Sequence, residues 1–165
     1  MATVHDDDAL HPRPIDRWFD SYSGDHQNAT NQTIHVICVP AILWSVVALL
    51  WCIPVPEAIG RPGLWAAAAM FLTWIFYWQL SRKLALGMLL VFAVFGGISE
   101  LIRMQFGADV LLWTAVAVFV VAWIGQFVGH KIEGKRPSFL TDLVYLLIGP
   151  LWVLAKGYRK LGVGY

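Results

Sequence analysis

The stretch Trp123–Pro137, WIGQFVGHKIEGKRP, carries the residues best suited to chemistry, at the point where a long apolar run gives way to charge. If the run stays helical through Glu133, Gln126 and His130 are four apart and His130 and Glu133 three apart, which puts all three on one face. An imidazole and a carboxylate on one face, where a membrane helix meets water, can make half of a metal site. The competing reading is a helix end whose polar side chains snorkel into the headgroups. The other half would come from His26 and His35. On one continuous helix their nine-residue separation turns through about 900° and leaves them on opposite sides. They converge only if the connector Asp25–Thr30 breaks the helix, as its composition suggests. Asn31 and His35 share a face, so Asn31 can orient the His35 ring through its second nitrogen, an outer partner that metal-bound imidazoles need. Three histidines with Glu133, or less favourably Asp25 or Asp142, would suit redox-active iron or zinc. No HxxxH, HExxH or CxxC motif is present. Each feature has a plainer alternative: interfacial histidines hydrogen-bond to headgroups, and Gln126 can simply link helices.

The elements that must position these residues are membrane helices. The chain has 165 residues, enough for one domain, and is 58% hydrophobic but only 14% charged. Soluble domains carry about 25% charged residues, so lipid is the expected solvent. A net charge of +1 argues against nucleic acid, which asks for a basic face. Cys38 and Cys52 lie in apolar surroundings and read as free buried thiols. Residues 1–12, with His5 and His11 in them, lack an apolar core and read as a mobile tail; residues 13–165 form the membrane domain. Ile15, Trp18, Phe19 and Tyr22 make one apolar stripe on a short helix over Ile15–Ser23, with Pro14 at its first turn. Such a helix lies in the interface. Four apolar runs follow, at about 32–53, 64–81, 84–102 and 109–129, each near the roughly 20 residues a bilayer core requires. Thr30 or Asn31 can cap the first, and Pro40 can kink it. Ser81-Arg82-Lys83 is a tight turn, and Glu100 can pair with Arg103. Phe139–Ala155, interrupted by Gly149-Pro150, is short for a span and reads as a re-entrant or surface segment. The expected architecture is therefore all-α, a polytopic membrane protein with four transmembrane helices, an N-terminal interfacial helix and that C-terminal segment.

Charge orients it. Ten of the twelve Lys and Arg residues fall on one side of a four-span layout, and only Arg61 and Arg103 on the other. The positive-inside rule then makes both termini cytoplasmic. In that topology His26, His35 and His130 share one depth at the cytoplasmic face. The tryptophans, Trp123 and Trp152 among them, read partly as an aromatic belt. Lys131, Lys135 and Arg136 are topology signals, or else they hold an anionic headgroup or a fatty carboxylate.

The pattern Tyr22-x3-His26-x4-Asn31-x3-His35-x4-Pro40, followed by Gln126-Phe127-x-Gly129-His130, Glu133 and Pro137, resembles the signature of the 2-hydroxy fatty acid dioxygenase-like membrane family. That family is typified by a fungal endoplasmic-reticulum enzyme of phytosphingosine breakdown. The resemblance covers roughly residues 15–160, and the middle spans match only in hydropathy. It implies iron(II)-dependent α-oxidation, in which dioxygen shortens a 2-hydroxy fatty acid by one carbon. Carried over by position, it implies that His26, His35 and His130 are the iron ligands, with Glu133 as a fourth. The fungal pattern has one more residue between its His and Glu, which alters the face the carboxylate occupies. Asn31, Gln126, Tyr22, Lys131 and Arg136 are then expected behind the ligands or against the lipid substrate. The chain closes on Gly-Val-Gly-Tyr without a retrieval signal, which suggests a bacterial inner membrane. A zinc-dependent lipid hydrolase or isomerase, and a non-enzymatic lipid-binding membrane protein, are the alternatives.

Overall fold

The computed structural model describes residues 13–134 and 139–165, the side chains of residues 139–144 excepted. Residues 1–12, and with them His5 and His11, lie outside the described residues, as do Lys135, Arg136 and Pro137; nothing is described of the Asp142 side chain. The chain is all-helical: α1 (Pro14–Gly24), α2 (Ala29–Trp51), α3 (Leu64–Leu80), α4 (Arg82–Phe106), α5 (Ala108–Glu133) and α6 (Phe139–Lys160). No strand occurs among the described residues.

Three helices, α2, α4 and α5, are long and apolar enough to cross a membrane, where four were expected. The missing one is α3, whose 17 residues rise about 25 Å against a hydrocarbon core of about 30 Å. It is clipped at both ends. Gly63, at φ +88°, starts it after the Pro- and Gly-rich turn, and Ser81 adopts an extended conformation to end it. Ser81 also caps α4, its Oγ accepting from the Leu84 N–H at 3.4 Å, so one residue joins the two helices in the expected tight hairpin. At most 28% of the apolar window of each long helix is covered by protein, which leaves the remainder for lipid.

Contacts between helix ends set the topology. Trp51, ending α2, donates from Nε1 to Glu100 near the end of α4 at 2.9 Å, and Glu100 also pairs with Arg103 at 2.7 Å. The start of α5 meets the same end, so α2 and α4 run one way and α5 returns. At the opposite end, Asn28, the last residue before α2, bonds Glu133, the last residue of α5. There α5 stops cleanly because Gly134 turns into the left-handed region, at φ +73°, where a side chain would be strained.

The stripe on α1 differs from its expectation. Ile15, Phe19 and Tyr22 are buried, packed with Ile148, Leu151 and Trp152 of α6, so protein covers the face expected to meet lipid. Instead of being broken at Gly149-Pro150, α6 is continuous through Pro150. Its partners all belong to the histidine end of the bundle: Tyr145 bonds Ser21 and Asp25, Trp152 bonds Ser23, Lys156 bonds Gln32 and Tyr158 bonds the Lys83 carbonyl. From Tyr145 to Tyr158 the helix lies across that end. Basic residues gather there too, with Lys83 reaching the Gly164 carbonyl and Arg13 reaching that of Tyr165. Cys38 and Cys52 are free thiols, partly and not fully buried.

Candidate metal centre

His26 sits in the connector Asp25–Asn28, which breaks the helix between α1 and α2. The break is written locally. Asn28 adopts an extended conformation and its side chain accepts from the N–H groups of Thr30 and Asn31, capping α2 a few residues earlier than expected for Thr30 or Asn31. With the helix interrupted, the nine residues between His26 and His35 no longer set them on opposite sides. Their Nε2 atoms lie 3.0 Å apart. His130, in the last turn of α5, completes the group: one ligand nitrogen from each of the three rings lies within 4.8 Å of the other two.

Each α1–α2 imidazole is held by a backbone carbonyl four residues earlier. His26 Nδ1 donates to the Tyr22 carbonyl at 2.6 Å, and His35 Nδ1 to the Asn31 carbonyl at 3.0 Å. A carbonyl can only accept, so both Nδ1 atoms carry hydrogens and both Nε2 atoms present lone pairs. Two acceptors then face one another at hydrogen-bond distance in a site where His26 and His35 are each 2% exposed. A cation between them removes the repulsion. A proton would do so poorly, because burial pushes the His26 imidazole below its ordinary range, outweighing the raising effect of the Tyr22 carbonyl. A donor set of three imidazoles, two of them with their Nε2 lone pairs turned inward, therefore fits a transition-metal ion.

The surroundings hold the rings still. Tyr22 stacks on His26, with centroids 4.2 Å apart and planes 13° apart, and meets His35 edge-on at 6.4 Å. Gln32 donates to the His26 carbonyl and accepts from Lys156, tying the connector to α6. Asn31 orients His35 with its main chain, where its side chain was expected. That side chain donates from Nδ2 to Glu133 at 2.8 Å instead. Glu133 stands outside the histidine cluster. Its carboxylate accepts from the Gln27 N–H at 2.8 Å, the Asn28 N–H at 3.0 Å and Asn31. A carboxylate among the free N–H groups at the start of α2 is also favoured by the helix dipole. Asp25 is engaged by Tyr145. Lys131 is exposed and does not line the site.

Removing this brace has an expected cost. Glu133→Ala strips a charged acceptor from three N–H groups, one of them on Asn31, whose carbonyl holds His35. Direct partners of metal ligands are worth about 10- to 100-fold in metal affinity, and Glu133 acts one bond further out. We expect about a tenfold weaker metal affinity, read by competition with a chelator, and partial recovery in Glu133→Gln.

A cavity of about 730 Å³ opens from the imidazoles and runs between α2, α5 and α6. Val39, Leu43, Phe119, Trp123, Phe127 and Leu146 wall it. Trp123 thus belongs to the site, and Trp152 lies 6.3 Å from the His26 ring, although both read from the sequence as belt residues. Beyond the histidines and tyrosines, Gln126 and the indole N–H of Trp123 are the polar groups among the lining residues.

Residues 13–161 match the family described as Mpo1-like, 2-hydroxy-palmitic acid dioxygenase Mpo1-like. The chain is 28% identical to the 2-hydroxy-palmitic acid dioxygenase MPO1 of Saccharomyces cerevisiae over 139 residues, which is 83% of this chain and 75% of the yeast protein. No solved structure matches.

Proposed function

This chain belongs to the Mpo1-like family, and on that premise we propose that it is an iron(II)-dependent dioxygenase that shortens 2-hydroxy fatty acids by one carbon. The observation that carries the reading is the pair of facing Nε2 lone pairs of His26 and His35, with His130 beside them. His26, His35 and His130 would hold the ion, and Glu133 acts as a brace behind them. When bound, non-haem iron supplies dioxygen activation and an attachment point for substrate oxygens. The overall change balances without an outside reductant: a 2-hydroxy acid and one dioxygen equal the acid one carbon shorter, carbon dioxide and water.

The chain's own residues bind and orient. The substrate carboxyl and 2-hydroxyl lie at the imidazoles, and the alkyl chain enters the apolar cavity. From His130 to Phe119 the cavity follows α5 for about 16 Å at 1.5 Å per residue. That is about half of a 30 Å hydrocarbon core, the length of one leaflet's acyl chain. Tyr22 and Trp152 keep the far side of His26 dry, and Tyr22 fixes the ring plane. Arg136 and Lys131 attract the fatty carboxylate toward the surface. In this reading α2, α4 and α5 cross a bacterial inner membrane, the shorter α3 carries the chain back between α2 and α4, and α6 lies in the headgroup layer. The basic end of the bundle, with the histidines and both chain ends, faces the cytoplasm.

Anaerobic purification without chelators, followed by metal analysis, is the test. Iron bound in stoichiometric amount, with oxygen uptake on 2-hydroxypalmitate and none on palmitate, is the expected result. Zinc with hydrolytic or isomerase activity, or metal-free protein that binds lipid without turnover, would replace this reading with its alternatives.

A further inference from the structure

Two buried polar atoms of residues in the cavity wall have no hydrogen-bond partner among the described residues: Trp123 Nε1, a donor, and Gln126 Oε1, an acceptor. Gln126 is 5% exposed. An unpaired carbonyl in an apolar pocket is costly, and it is retained where a ligand completes it. Gln126 lies one helical turn, about 5.4 Å, from His130 along α5, on the face that carries the imidazole. Any fatty acid whose carboxyl end sits at the histidines passes Gln126 with its first few carbons.

The chemistry of the substrate then narrows the partner. An ionised carboxylate only accepts hydrogen bonds, and an alkyl chain neither accepts nor donates. The one donor a 2-hydroxy acid offers is its hydroxyl. We infer that Gln126 is a substrate-reading residue whose Oε1 accepts a hydrogen bond from the 2-hydroxyl, and that this contact selects hydroxylated over plain fatty acids. The inference rests on the proposed substrate class and is independent of the metal. It has a corollary: the shortened product has lost the hydroxyl, leaves Oε1 unpaired again, and binds no better than a plain acid. Sites built to pair a substrate hydroxyl discriminate by the cost of the orphaned group.

The test is equilibrium binding to the metal-free full chain in detergent, read by tryptophan fluorescence, with 2-hydroxypalmitate, palmitate and 2-fluoropalmitate. The fluorinated acid keeps a polar substituent of similar size and lacks the donor. The wild-type protein should bind 2-hydroxypalmitate about tenfold more tightly than either of the other two. In Gln126→Met the preference should fall below about twofold, with palmitate binding retained as proof of folding. Equal binding of the hydroxylated and fluorinated acids by the wild type, or a Gln126→Met protein that keeps the tenfold preference, overturns the assignment. Because no metal is present, a chain that never oxidises lipid can still pass this test. One that oxidises 2-hydroxypalmitate can fail it, so the two readings fall separately.

Discussion

Replacing His35 by alanine is expected to cost more than about 100-fold in metal affinity, beyond the 10- to 100-fold that outer partners command, and to abolish oxygen uptake with it. His35 is the ring with the least freedom to be substituted. It projects from a regular helix, its Nδ1 is pinned by the Asn31 carbonyl, and its Nε2 lies 3.0 Å from that of His26. The ring is 2% exposed, so its loss leaves a void among Tyr22, His26 and His130 that no neighbouring donor can fill. His26→Ala and His130→Ala should act in the same direction. Metal analysis and oxygen consumption on the same preparation decide the matter. A His35→Ala protein that is well folded, keeps its metal and turns over normally would remove the basis of the proposed chemistry.

Gly129→Ala should be nearly as damaging without touching a ligand. A Cβ at Gly129 would lie 2.3 Å from Asn31 Oδ1 and 3.5 Å from His35 Cε1. Asn31 is fully buried and its amide is anchored on Glu133, so it has little room to yield. The helices α2 and α5 must then separate. Overpacking of this kind costs typically 1–3 kcal/mol, and separation moves His35 and His130 apart. A misplacement of about 1 Å in a reacting constellation can cost about 100-fold in rate. Gly97→Ala is the control: a Cβ there meets nothing within 4 Å, and alanine is preferred over glycine inside a helix by roughly 0.5–1 kcal/mol. Thermal unfolding and turnover should therefore fall together in Gly129→Ala and hold in Gly97→Ala. Equal behaviour of the two variants would mean that the close approach of α2 and α5 does not position the site.

Much of the site is visible in spacing because its determinants are local. Tyr22 and His26, Asn31 and His35, and Gln126 and His130 are each one helical turn apart. The polar connector between α1 and α2 announces the break that lets the first two histidines meet. Charge asymmetry supplies the remaining link, since it sets the start of α2 and the end of α5 at one level. What stays hidden depends on encounters between distant segments. Glu133 looks like a ligand by its distance from His130, yet it is engaged by main-chain N–H groups of Gln27 and Asn28, and main-chain donors leave no mark in a sequence. Asn31 is at the right position to orient His35 and does so with the atom that every residue type shares. The shortness of α3 follows from Ser81 serving as the first cap of α4, a competition that hydropathy does not register. Pro150 within α6 reads as an interruption, but packing of Ile148, Leu151 and Trp152 on the core outweighs one lost helical hydrogen bond.

The placement of one imidazole on α5, far downstream of the other two, has a consequence for biogenesis. His26 and His35 leave the ribosome with α1 and α2, while His130 is delivered only after the α3–α4 hairpin and nearly all of α5 have been made. No nascent fragment ending before that point owns a complete set of nitrogen donors. On the proposed reading, capture of an ion is thus deferred until insertion is almost finished, and metal loading would report on a chain that has assembled correctly.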